Sequence, residues 1–368
     1  MRHSSKTAAF ILFVFAVYSI HPTLAQSPRP EGAQQFGELG EFRLRSGEVI
    51  HDFRIGYRTL GKLNQGKSNA VLWPTWLGGK SGDLLQFIGP GKVVDTGQYF
   101  VILLDAIGNG VSSSPSNSKS QARLKFPQFT ISDMVKSEHQ LVTSVLHLTH
   151  LRAVVGLSMG GMQALEWAVT YPDLMDLVVS MAGSPQSTVF DKLLWTAEID
   201  AIELDPAWNH GNPTGPLSRG IALVEEIDSM NATSPAYRVA HTKSTEWEGF
   251  IAGIRKNAVA DGGTASDQIR QREAVISLDI PGELGMSLAQ TAKRVRAKLL
   301  VIVSPQDHTV NPLPALEFAA AAGAPVVSLD SPCGHQSLAC ISVGPTVARF
   351  IADPTSVHGE TLRDPANH

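Results

Sequence analysis

The chain has 368 residues, 43% of them hydrophobic and 17% charged, with a formal charge of −4. That length and apolar content can build a sizeable core, while two cysteines exclude a disulfide-dense scaffold and a multi-cysteine zinc site. The near-balanced charge has no basic block to suit a nucleic-acid partner, and the body has no apolar run of 20 residues to suit a polytopic membrane protein.

Residues 1–25 read as a cleavable secretory signal. Arg2, His3 and Lys6 precede an apolar run over 8–20, and small residues stand at Thr23 and Ala25. Loss of Arg2 and Lys6 would leave 28 basic against 34 acidic residues, a charge of −6, and export would place the protein in an oxidising compartment. Residues 26–35 are polar and Pro-rich and predict a disordered lead-in. Strands are expected over 41–45 and 49–59, joined across Ser46-Gly47, then over 69–73 and 99–104. Met134, Leu141, Val142, Val145 and Leu146 recur at helical spacing, with Asp133 as candidate cap. A strand over 151–155, a helix over 162–171 and a strand over 177–181 follow. Further on come strands over 299–303 and 325–329, with an Ala-rich helix over 314–322 between them. A last helix covers 345–352 and a polar tail 354–368.

Short apolar runs alternating with amphipathic helices predict a mostly parallel sheet covered on both faces. Residues 186–295 interrupt that rhythm. They read as a helical lid inserted between two strands of a core made from 36–185 and 296–353.

Gly156-Leu157-Ser158-Met159-Gly160 lies between a predicted strand and a predicted helix, the context of a nucleophile elbow. The sharp turn needs tiny flanking residues and lifts the Ser158 hydroxyl to a helix N-terminus, whose N–H groups can receive a developing oxyanion. On such an α/β-hydrolase sheet the acid and then the histidine follow the serine along the chain. The strand over 299–303 leads into Asp307, 149 residues after Ser158. Asp279, inside the insertion, and Asp330, five residues before His335, are rival acids. Of the later histidines, His308 adjoins Asp307, and His358 and His368 lie in the tail. His335 remains, 28 residues after Asp307. Ser158 would attack an acyl carbonyl, His335 would take and return its proton, and Asp307 would fix the imidazole tautomer. Oxyanion N–H groups are expected from Met159 and Leu77, with Trp76 as second choice for the latter.

Residues 156–168, Gly-Leu-Ser-Met-Gly-Gly-Met-Gln-Ala-Leu-Glu-Trp-Ala, resemble the homoserine O-acetyltransferases of the α/β-hydrolase fold. Tyr57-Arg58-Thr59-Leu60-Gly61-Lys62-Leu63-Asn64, Asn69-Ala70-Val71-Leu72, Phe126-Pro127 and Thr130-Ile131-Ser132-Asp133-Met134-Val135 match the same family in the same order. The resemblance covers roughly 42–191 and 298–351. It implies double displacement through an acyl-serine, with Ser158, Asp307 and His335 in their expected roles. Three places depart from it. Gln336 stands where the family has an aspartate that helps hold the substrate's amino group. Thr75-Trp76-Leu77-Gly78-Gly79 replaces a His-Ala-Leu-Thr-Gly-like loop. The insertion has Gly262-Gly263-Thr264-Ala265-Ser266-Asp267 in place of a stretch of Arg, Phe, Asp and Asn.

The expected function is an exported serine esterase acting on a small ester or acyl substrate, without nucleic-acid partner, metal or cofactor, and with no stable membrane partner once the signal is removed. The alternative is O-acyl transfer to an alcohol, with acetyl-CoA as co-substrate in that case alone. A homodimer is left open. Trp76, Trp195 and Gln336 are expected to line the substrate pocket, with Trp208 and Trp247 in the core of the lid. Cys333 and Cys340 flank His335 and fit either a disulfide that pins it or two buried thiols. Asn231-Ala232-Thr233 is a glycosylation sequon. His147 and His150 have metal-pair spacing but no third ligand in sequence.

Overall fold

A run such as Ala70-Val71-Leu72-Trp73 has no polar face to offer water, so it belongs inside a sheet with helices on both sides. The computed structural model, which describes residues 30–256 and 258–364, places it there. Residues 1–25, expected to be a signal, lie outside the described residues, as does His368. Among the described residues nine strands form one sheet. They are β1 (Gln35–Arg43), β2 (Val49–Leu60), β3 (Ala70–Pro74), β4 (Phe100–Leu104), β5 (Leu151–Leu157), β6 (Met175–Met181), β7 (Lys298–Val303), β8 (Val326–Asp330) and β9 (Glu360–Arg363). Their order is β1-β2-β4-β3-β5-β6-β7-β8-β9. The β1–β2 and β2–β4 pairings are antiparallel, and all the others are parallel.

Helices α1 (Ile131–Gln140) and α2 (Met159–Thr170) precede an insertion between β6 and β7. The insertion holds α3 (Val189–Glu203), α4 (Arg219–Asn231), α5 (Pro235–His241), α6 (Trp247–Arg255), α7 (Gly262–Ile276), α8 (Ile280–Glu283) and α9 (Leu288–Ala292). Beyond β7 come α10 (Leu313–Ala322), α11 (Ser337–Cys340) and α12 (Gly344–Ala352). The period-two rule of strands sorts the core into two layers. Leu72 and Val154 pack with Met134 of α1, Leu165 of α2 and Phe318 of α10. Val71 and Val155 point the other way and pack with Val347, Phe350 and Ile351 of α12. In the insertion, Ile202 of α3, Ile221 and Val224 of α4 and Ile269 of α7 gather around Trp208 in a third cluster. From Glu31 onward the chain is one compact unit, so the insertion is an elaboration of the sheet domain.

Several sequence expectations need correction. The lead-in is ordered by residue 31: Glu31 accepts from the Gly61 amide, Gln34 donates to Asp105 at 2.8 Å, and β1 begins at Gln35. Polar side chains there are fixed by hydrogen bonds that composition does not reveal. The polar tail contains β9, whose backbone pairs along the β8 edge while Leu362 packs against the core. Thr130, not Asp133, caps α1. Asp133 is its reciprocal partner in a capping box. Trp247 is half exposed and outside the insertion's core.

Glu138 of α1 is fully buried and accepts from Trp167 Nε1 of α2 at 2.7 Å. Burial pushes its carboxyl up to about 8, against a smaller lowering by the Trp167 bond. The folded state therefore holds a proton that the unfolded chain releases near 4.5. The resulting stability is complete below that value and is lost as pH rises through about 8. Glu138→Gln keeps an acceptor for Trp167 and removes the ionisation. It is expected to raise the urea midpoint at about pH 9 and leave it nearly unchanged at about pH 4, below the unfolded-state value. An equal shift at both pH values would assign the titration elsewhere.

Candidate active site

Ser158 sits between β5 and α2 with φ 56° and ψ −124°, outside the comfortable regions for a residue with a side chain. Its amide is tied to Met181 O on β6 at 2.8 Å. Such a turn leaves no room beside it. A Cβ on Gly156 would lie 1.9 Å from Gly160 O, one on Gly160 would lie 2.6 Å from Pro74 O, and one on Gly161 would lie 2.9 Å from Met181 O. The glycines of the motif are thus required by backbone contact. The turn strain, about 1–3 kcal/mol for such a conformation, is held by β3, β5 and β6 together.

The Ser158 hydroxyl lies 2.9 Å from His335 Nε2, and His335 Nδ1 lies 2.7 Å from Asp307 Oδ2. Asp307 leaves the end of β7, and its other oxygen accepts from the Thr309 and Val310 amides, both at 2.9 Å. Two backbone donors and one imidazole therefore satisfy the buried carboxylate. Burial by itself would lower the His335 pKa. The charge and hydrogen bond of Asp307, with a further contribution from Asp228, outweigh it and hold the ring above its ordinary value. The His335 turn is clamped by sequence-distant backbone. Gly334 takes φ 59°, Gln336 N donates to Ala232 O at 3.2 Å, and Ser234 N donates to Pro332 O at 3.0 Å. The rivals are occupied elsewhere. Asp279 caps α8, Asp330 faces Arg363, and His308 and His358 are exposed.

Met159 is the first residue of α2, and Leu77 lies in the loop after β3. Among the described residues neither amide N–H donates to a protein acceptor. That loop is held at several points. Thr75 N donates to Leu104 O, Gln163 Nε2 of α2 to Thr75 O at 3.0 Å, and Gly78 N to Gln271 Oε1 of α7 at 2.7 Å. Gln271 in turn donates to Ile107 O at 3.0 Å. The sequence reading missed Gln271. Its one sequence signal is a polar residue beside Ile269 and Ala274 on a helix whose face is buried.

Ser158 and His335 open into a cavity of about 680 Å³. Trp76, Trp195 and Gln336, the expected pocket residues, line it together with Leu77, and Trp73 and Phe87 extend its apolar wall. Met159 is buried beneath the serine and is not part of the lining. One sector of the wall is ionisable. Asp228 and Arg272 face the cavity, with Glu198 behind them, and the sequence reading singled out none of the three. The signal for Arg272 was its place between Ile269 and Val275 on the apolar stripe of α7, where a charge requires a partner. Other candidates fall away from the site. His150 pairs with Asp176 at 2.9 Å, and Lys67 donates to the backbone carbonyl of His147. Asn231 is buried, donating to Ile227 O and accepting from Thr309, so its side chain is not open to glycosylation.

Cys333 and Cys340 are joined in a disulfide whose ring encloses His335 and Gln336. Cross-linking so short a segment stabilises by about 2–3 kcal/mol at most. The double substitution Cys333→Ala/Cys340→Ala is expected to lower the urea midpoint by a corresponding amount and to reduce kcat more than it raises KM, because the ring carries the histidine. Unchanged kcat in the variant would limit the disulfide to stability.

The chain matches the α/β hydrolase fold family over residues 71–213. An ethyl acetate hydrolase of Pseudomonas veronii is 31% identical over 278 residues, which cover 73% of this chain and 79% of that protein. A homoserine O-acetyltransferase of Methanococcoides burtonii is 32% identical over 311 residues, covering 74% and 62%. Across such relatives the chain spans from 44% to 79% of their own length. The crystal structure of the acetyl esterase MekB superposes with a TM-score of 0.78 at 27% identity, covering 88% of this chain and 98% of that one. Sheet order, elbow and relatives agree: the chain belongs to the α/β hydrolases.

Proposed function

We propose that the protein is an exported carboxylic ester hydrolase that works through an acyl-Ser158 intermediate. The observation that carries this reading is the hydrogen-bonded chain Ser158–His335–Asp307 opening into an apolar cavity. His335 Nε2 accepts the Ser158 proton as Oγ bonds to the acyl carbon. The carbonyl oxygen becomes an oxyanion received by the Met159 and Leu77 amides. Collapse breaks the bond to the alkoxy group, which leaves with the proton from His335. Water, deprotonated by the same imidazole, then attacks the acyl-serine, and the acid leaves as His335 returns that proton to Ser158 Oγ. Asp307 stays ionised and holds the Nδ1 proton in place. Export is supported by the signal pattern of residues 1–25 and by the Cys333–Cys340 disulfide, a bond suited to an oxidising compartment.

Transfer to an alcohol is the second reading, favoured by the homoserine O-acetyltransferase relatives, and it alone would call for acetyl-CoA as acyl donor. Hydrolysis is preferred because Gln336, uncharged and at the cavity, has nothing to pair with an ammonium of an amino-acid acceptor. Release of p-nitrophenol from p-nitrophenyl acetate, with and without homoserine, separates the two. Free acetate at a rate indifferent to homoserine is expected, and O-acetylhomoserine by mass would establish transfer.

Ser158→Ala is expected to lower turnover by roughly 10⁴-fold or more while the thermal midpoint stays near that of the parent. Retained activity would remove the nucleophile assignment. His335 must be neutral to act as base, so activity falls as pH drops below its raised pKa. Asp307→Asn removes the charge that holds that pKa up. The residual activity is expected to keep its acid limb to lower pH than the parent, and an unmoved limb would mean that another group titrates.

A further inference from the structure

The ionisable sector of the cavity takes no step in the chemistry above, although the charge of Asp228 helps hold up the His335 pKa. Arg272 Nε donates to Glu198 Oε2 at 2.6 Å, and its Nη1 approaches the Gln268 backbone and side-chain oxygens at 3.3 and 3.4 Å. Among the described residues its Nη2 has no protein acceptor, although the side chain is only 4% exposed and faces the cavity beside Trp195. Glu198 is fully buried, and its Oε1 has no donor among the described N–H and O–H groups. Asp228 also lines the cavity, near enough for its charge to interact with Arg272 and Glu198. Two desolvated carboxyls against one guanidinium leave room for one shared proton, and with it the group of three is neutral. The raised pKa values of Glu198, pushed to about 7 by burial, and of Asp228, raised by the same cause, agree with that count.

We propose that Arg272 and Asp228 form a recognition subsite for a free hydroxyl on the acyl or alcohol part of the substrate, so that hydroxylated short esters are preferred over their alkyl counterparts. The proposal rests on the ester-hydrolase reading of the same cavity. The subsite offers one donor, Arg272 Nη2, and one acceptor, an Asp228 carboxyl oxygen, and a hydroxyl is donor and acceptor at once. A carboxylate would satisfy Arg272 and meet the two acids. An ammonium would satisfy Asp228 and meet the guanidinium. An alkyl chain would leave both polar groups dry and unpaired, a cost that a site built for hydrogen bonds turns into discrimination.

The test is a set of kcat/KM ratios on the purified full chain. Matched pairs are 2-hydroxyethyl acetate against ethyl acetate for the alcohol side, and ethyl 3-hydroxybutanoate against ethyl butanoate for the acyl side. The 2-aminoethyl ester of acetic acid and monoethyl succinate supply the charged controls. At least one hydroxylated ester is expected to exceed its alkyl partner by roughly tenfold, and both charged esters to fall below it. Asp228→Ala is expected to bring that ratio close to one, chiefly through KM. Arg272→Gln is a second variant with the same expectation. A parent ratio near one overturns the proposal. So does a variant that slows both members of a pair equally and leaves the ratio intact, because that assigns the cluster to structure alone. Hydrolysis of p-nitrophenyl acetate, and its loss in Ser158→Ala, is read in parallel: failure there overturns the hydrolase reading itself, whereas success there with a flat ratio overturns the hydroxyl subsite only.

Discussion

The site depends on one strained turn. Ser158 can hold φ 56° only because three neighbouring positions lack a Cβ and because β6 fixes its amide. The same constraint brings α2 against the end of β3, with Gly160 close to Pro74 O and Gln163 bonded to Thr75. Ser158 and the loop after β3 are therefore set by one packing event. A site on a loop alone would lose this coupling, because a loop carries no neighbouring strands to resist relaxation.

A second principle is the way charge is handled away from water. Asp307 has two backbone donors and an imidazole, so both of its oxygens are partnered. Glu138 has a single indole donor and is pushed toward its neutral form. Glu198 lies between these cases, with Arg272 on one oxygen and Asp228 near by. The number and sign of close partners decide which buried acid stays charged. Of these three carboxyls, the one with the fullest donor set is aligned with the histidine.

What the sequence could and could not reveal follows from the range of the interactions involved. The elbow is local: strand, glycines and helix are contiguous, and chain order then leaves few places for Asp307 and His335. The central strands were legible because burial on both faces makes them uniformly apolar. β9 was not, since its pairing is a backbone matter and Glu360, Thr361 and Arg363 carry no apolar signal. Arg272, Asp228 and Gln271 lie on insertion helices whose orientation over the sheet is set by tertiary packing, so each reads along the chain as one more polar residue. Asn231 shows the converse: a sequon along the chain is, in the fold, a buried bridge between α4 and Thr309.

The insertion also bears on how molecules reach the serine. It is stitched to the sheet domain at both halves of the site: Ala232 O and Ser234 N hold the histidine turn, Asn231 holds Thr309, and Gln271 holds Gly78 and Ile107. Swinging the insertion away as a rigid flap would break these five hydrogen bonds, at roughly 0.5–1.5 kcal/mol each, and would release the loop after β3 and the His335 turn in the same motion. An open flap would thus undo the arrangement on which the proposed hydrolysis depends. Traffic must instead pass a standing roof through rotations of rim side chains such as the exposed Gln336, movements of picoseconds to nanoseconds. The doorway, more than the volume behind it, then sets the largest molecule that can reach Ser158.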